Sequence, residues 1–118
     1  MTKEPMDTFR RTGRTTRQLA ALVEQLQPGK TCVYVNPSSI HVSYVLNLLC
    51  DVFGCKAVPG QRNTVRTPSG AIIKSTTPEA TRHSSPRAVV AYDHYISESG
   101  MLSRMPLHDF GREEFKPQ

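Results

Sequence analysis

A glycine, a cation and two hydroxyls stand together at Gly13-Arg14-Thr15-Thr16, inside the basic run Arg10-Arg11-Thr12-Gly13-Arg14-Thr15-Thr16-Arg17. The residues that follow carry the stripe of a one-sided helix, so the group falls at a helix N-terminus. Phosphate is the ligand such a group suits. Unpaired backbone N–H groups and the positive end of the helix dipole favour an anion, and a hydroxyl there can ligate an accompanying magnesium ion. Arg10, Arg11, Arg14 and Arg17 add to the positive field. The plainer alternative is an ordinary helix start, in which Thr12 caps, Gly13 turns and the arginines are solvated.

The elements that must position this group can be read from hydrophobic period. Leu19, Leu22, Val23 and Leu26 repeat at helical spacing over Thr15 to Gln27, and Pro28-Gly29 ends the run. Thr31 to Asn36 is short, β-branched and almost wholly apolar, which suits a strand buried on both faces. Pro37-Ser38-Ser39 opens a second helix with a hydroxyl cap, and its stripe is Val42, Val45, Leu46, Leu49 and Phe53, closed by Gly54. Cys55 to Val58 reads as a short strand. Thr64-Val65-Arg66-Thr67 and Ala71-Ile72-Ile73-Lys74-Ser75 flank Pro68-Ser69-Gly70 as a hairpin with a three-residue turn. Thr77-Pro78-Glu79 reads as the start of a short helix. Arg87 to Asp93 is a second buried-strand pattern, and it ends in a carboxylate followed by His94 and Tyr95. From Ser97 to Gln118 no period is visible, so a tail that wraps or frays is expected.

Composition narrows the classes. A chain of 118 residues suits one compact domain. No apolar run approaches the roughly 18 residues that span a bilayer. The start, Met1-Thr2-Lys3-Glu4-Pro5, lacks a signal-peptide core, so an intracellular protein with no membrane contact is expected. The formal charge of +5 fits phosphate-bearing partners and equally fits plain solubility. Cys32, Cys50 and Cys55 form no CxxC pair, which argues for reduced thiols and against a zinc site. The hairpin cations Arg62, Arg66 and Lys74 offer a second basic surface for nucleic acid, without interleaved aromatics for base stacking.

Taken together, the Gly-Arg-Thr-Thr turn and the strand ending in Asp93 resemble a reduced P-loop nucleotide hydrolase. Within that class the chain is similar to small phage-encoded proteins with a Gly-Arg-Thr-Thr-Arg turn and a late Asp-His-Tyr. The resemblance covers roughly residues 8–97. Gly13 matches the second glycine of the phosphate-binding motif, Arg14 takes the lysine position, and Thr15 matches the magnesium-binding hydroxyl. Asp93 matches the acidic residue that holds the ion's water shell. The resemblance thus implies ATP or GTP cradled by Gly13, Arg14, Thr15 and Thr16, with magnesium held by Thr15 and Asp93, in the cytoplasm of a host cell.

Four departures limit the implied chemistry. Thr8 stands where the motif has its first glycine. Arg14 is longer, planar and bidentate where lysine is a point charge. His94 follows the strand Asp where helicase-like members carry a water-activating Glu; it either orients water or is a surface imidazole. Residues 1–9, with Lys3, Glu4, Pro5 and Asp7, make a poor buried strand ahead of the turn. The sheet therefore lacks its usual first strand, fills the slot with another segment, or takes it from a partner subunit. An open edge of that kind invites pairing, so an oligomer is among the expectations.

The expectation is a single α/β domain over residues 1–97 with a C-terminal tail over 98–118. It holds a small, mostly parallel sheet flanked by helices, with a β-hairpin insertion. Its function is nucleotide and magnesium binding with weak or no hydrolysis. The competing expectation is a non-enzymatic accessory that binds nucleic acid or an acidic host protein through its basic face.

Overall fold

The computed structural model describes residues 13–78, 88–98 and 113–117. In chain order the elements are α1 (Arg14–Gln25), β1 (Thr31–Val35), α2 (Ser39–Asp51), β2 (Lys56–Ala57), β3 (Thr64–Arg66), β4 (Ile72–Thr76), β5 (Val89–Tyr92) and α3 (His94–Glu98). The sheet runs β2-β3-β4-β1-β5. β1 is parallel to both β4 and β5, whereas β2–β3 and β3–β4 are antiparallel.

Two expectations need correction. The sheet is mixed rather than mostly parallel, because two of its four strand pairings are antiparallel. The hairpin is also no insertion: its second strand, β4, is a central strand, with Ile72 to Thr76 registered against Thr31 to Val35 of β1. The turn itself forms as its residues dictate. Gly70 takes φ +100°, open to glycine at no cost, and the Thr67 hydroxyl accepts from the Ala71 N–H at 3.0 Å. The sequence places the antiparallel pair correctly but says nothing of which neighbour β4 finds on its other side.

Period explains the layers. In β1, Cys32 and Tyr34 point to one face, and Val33 and Val35 to the other. The first face carries α1 and α2, packing Leu19, Leu22, Leu26, Val45 and Leu49 over Cys32, Tyr34 and Ile73. The second face holds Val33, Val35, Val90, Tyr92 and Ile96. Each fully buried leucine of α1 contributes about 1.5–3 kcal/mol. This is what fixes α1, and with it the Gly13 turn, against the sheet.

The edge beyond β5 is covered. The Val90 N–H donates to Glu113 O at 2.9 Å, the Phe115 N–H donates to Val90 O at 2.8 Å, and Val90 and Glu114 form a parallel bridge. Part of the expected tail therefore wraps, and it takes a strand position beside β5, with Phe115 packed on the core. The expected first-strand region at 1–9, with Thr8, lies outside the described residues, as does the helix expected to continue from Pro78.

Candidate functional site

Gly13 opens α1 in the left-handed region, φ +64° and ψ 8°, and no described side chain caps the helix there. An L residue at this position is strained, and an added Cβ would meet the Arg17 guanidinium at 3.2 Å. The first turn carries no acidic residue. An N-terminus flanked by arginines, with no side-chain cap among the described residues, leaves first-turn N–H groups of the kind that suit an anion. Arg14 and Arg17 are exposed, Gly13 and Thr16 half-buried, and Thr15 is wholly buried.

The structure brings Thr15 and Asp93 together, as the order of turn and strand suggests. The Thr15 hydroxyl donates to Asp93 Oδ2 at 3.1 Å. Asp93 sits just past β5, its backbone N–H donating to Val35 O at 3.0 Å, so the carboxylate lies at the carboxyl edge of the parallel strands.

Asp93 has more partners than the sequence reveals. The Tyr34 phenol donates to Oδ2 at 2.8 Å, and His41 Nε2 lies 2.9 Å from the same oxygen. Oδ1 accepts from the Tyr95 N–H at 3.0 Å. One buried carboxylate thus ties α1, β1, α2 and α3 to the end of β5. Burial pushes its pKa up, but the hydrogen bonds from His41, Tyr95 N–H and Tyr34 outweigh that, and the carboxyl is held below its ordinary value. Burial first, and then the Asp93 charge, keep the Tyr34 phenol protonated, well above its usual range.

Gln18 joins the same group from the next turn of α1. Its Nε2 donates to Tyr92 O at 3.0 Å, and its Oε1 accepts from the His94 N–H at 2.8 Å. His94 is no surface imidazole. It is 7% exposed, and neither ring nitrogen has a hydrogen-bond partner among the described residues. Burial, aided by the Arg14, His41 and Arg17 charges and opposed by Asp93, holds its pKa below the ordinary imidazole value.

The sequence reading misses Tyr34, His41 and Gln18. Two signals are there to be read. A tyrosine in the middle of a strand buried on both faces needs a partner for its hydroxyl. His41 stands four residues before Val45 and eight before Leu49, on the buried stripe of α2. Gln18 carries no such signal. Ser38 caps α2 as expected, accepting from the His41 N–H at 3.3 Å, and so holds the turn that carries His41. Ser39 is exposed at the start of the same helix.

The donor set also tests the expected magnesium. Oδ2 of Asp93 already faces Thr15, Tyr34 and His41, and the Thr15 proton is committed to it. Thr15 and Asp93 are both fully buried. A carboxylate oxygen with three donors has no lone pair left for a cation. Oδ2 and the Thr15 hydroxyl as arranged do not fit a directly ligated magnesium ion, while Oδ1 accepts only the Tyr95 N–H among the described residues. No cluster of three metal-ligating side chains occurs among the described residues, and no described helix is long and apolar enough to cross a membrane.

Comparison with protein-family models, with curated proteins and with solved structures found no match to this chain.

Proposed function

We propose that this protein binds the phosphate groups of a nucleoside triphosphate at the N-terminus of α1, and hydrolyses them weakly or not at all. The observation that carries this reading is the join between the two halves of the site: the Gly13 turn and the Asp93 strand end meet through the Thr15–Asp93 hydrogen bond. Gly13, Arg14, Thr15 and Thr16 supply backbone donors and a cation, and the Asp93 cluster holds the turn rigid. Magnesium enters as a companion of the phosphates, since Asp93 Oδ2 is already saturated. Weak hydrolysis follows from having His94 rather than a carboxylate next to Asp93, where water would be activated.

Thermal unfolding with ATP or GTP, with and without magnesium, tests this, because a ligand that binds only the native state raises the melting temperature. A rise that disappears in Arg14→Ala supports the reading. No rise at millimolar nucleotide sinks it.

A second reading rests on a different observation. An open groove of about 850 Å³ lies beside β3 and β4, lined by Arg62, Lys74, Asn63 and seven Ser and Thr residues, with no carboxylate among its lining. Cations and hydroxyls without acids suit a nucleic-acid backbone. Mobility shifts that weaken steeply with salt would favour it, and binding insensitive to salt would count against it.

A further inference from the structure

His94 is the group the fold leaves unexplained. It is buried, yet Nδ1 and Nε2 both lack partners among the described residues. Buried polar groups are nearly always paired, and one that is not points to a missing partner. Its position is fixed from two sides. The backbone N–H is held by Gln18 Oε1 at 2.8 Å, and the ring lies on Tyr95 with centroids 4.1 Å apart. The His94 backbone is thereby tied to Gln18 of α1, and Arg14 and Arg17 contribute positive field at the imidazole.

Asp93 does not serve as that partner. Its Oδ2 faces Thr15, Tyr34 and His41, and its Oδ1 faces the Tyr95 N–H. Besides Asp93, the groups that act on His94 among the described residues are the Tyr95 ring, His41, Arg14 and Arg17, and the two arginines flank the α1 N-terminus. An anionic oxygen would accept from one imidazole N–H in this positive field, whereas a metal cation on the other nitrogen would find no cluster of further ligands among the described residues.

We propose that the His94 imidazole directly contacts a phosphate oxygen of the bound ligand, in a site that holds the phosphate without a metal ion on Asp93. This rests on the reading of α1 as a phosphate site and adds its buried contact. The ligand class is a polyphosphate, with the imidazole N–H donating to the anionic oxygen alongside the helix N–H groups and the Arg14 guanidinium. The site then recognises phosphate by hydrogen bonding and helix dipole, where a magnesium-dependent site would use the ion's charge.

The test titrates inorganic triphosphate into the full chain in excess EDTA. Affinity is read by calorimetry, and the His94 ring by imidazole ¹⁵N resonances. The expected result is binding without metal, a shift of the His94 ring nitrogens on saturation, and a loss of about tenfold or more in affinity in His94→Ala. His94→Gln or His94→Asn, each of which restores one donor position, should recover part of that loss. Unchanged affinity in a folded His94→Ala, or ring nitrogens that do not move, overturns the proposal. If His94→Ala fails to fold, the wild-type ¹⁵N shift and the amide variants decide. Binding seen only with magnesium overturns the His94 proposal and leaves nucleotide binding standing. No binding of triphosphate, ATP or GTP under either condition overturns both.

Discussion

The Thr15 hydroxyl and the Asp93 carboxylate, 78 residues apart in the chain, share a buried hydrogen bond of 3.1 Å. It joins the first turn of α1 to the end of β5. The same carboxylate oxygen also takes the Tyr34 phenol and faces His41. The site is therefore built around one charge whose partners come from four different elements.

Removing that charge should be severe. Asp93→Ala leaves Thr15, Tyr34 and His41 facing a cavity without an acceptor. Leaving a buried donor without its acceptor costs about 1–3 kcal/mol. Urea unfolding should show the midpoint falling by that equivalent with an unchanged slope. Asp93→Asn keeps one acceptor and should lose less. Equal, small losses in both variants would show that the carboxylate does not organise the fold.

Stability should fall in two steps as pH drops. His94 and Asp93 are both held below their ordinary values, 6.5 and 3.8. Below each ordinary value the unfolded chain binds the proton first, so acid favours unfolding. The stabilisation linked to His94 is complete above pH 6.5 and declines as pH falls toward its folded value. That linked to Asp93 is complete above pH 3.8 and is lost below it. Urea midpoints across a pH series spanning both ordinary values should resolve the two steps. Each step has a height of about 1.4 kcal/mol for every tenfold difference in proton affinity between the folded and unfolded chain. His94→Gln should remove the upper step alone.

Gly13→Ala separates backbone geometry from side-chain chemistry. At φ +64° an alanine is strained, and its Cβ crowds Arg17. A loss of about 1 kcal/mol is expected, read as a lower melting temperature. Any phosphate-induced stabilisation should shrink as well, since the first-turn N–H groups shift with the turn. Gly29→Ala, whose Cβ would meet nothing, is the matching control for strain alone.

The thiols should divide by burial. Cys50 is exposed, whereas Cys32 and Cys55 are buried. Burial pushes the Cys32 thiol far up and Cys55 to about 11, with Cys50 adding to the latter. The reactive species is the thiolate. A thiol reagent at mildly alkaline pH should modify Cys50 alone in the native protein and all the cysteines after unfolding, with Cys50 identified by peptide mapping. Fast reaction of Cys32 would contradict the packing of β1.

Much of this architecture is legible in residue patterns. The Leu19–Leu22–Leu26 stripe, the apolar run of β1 and the Pro68-Ser69-Gly70 turn each signal locally, because period and turn chemistry act over a few residues. Sheet order does not signal locally. β4 reads as the far arm of a hairpin, and only its pairing with β1 makes it central. The site is legible in part for the same reason. Thr15 and Asp93 stand at element ends, where a charged or hydroxyl side chain is conspicuous. Tyr34 and His41 signal by pattern that they are buried and need partners, but which partner each finds becomes visible only once the fold brings Asp93 to them. His94 reads as a surface group because its neighbours in sequence are polar, yet the fold encloses it.

The spread of Asp93's partners along the chain bears on kinetics. Thr15, Tyr34 and His41 lie 78, 59 and 52 positions away. Contacts of such separation close long loops, whose entropic cost comes before the contact rewards it, so the Asp93 contacts are expected to form late in folding. Interactions absent from the folding transition state govern the rate of escape from the native state rather than the rate of reaching it. Asp93 is then a latch: weakening it should leave refolding nearly as fast as before and shorten the lifetime of the folded protein.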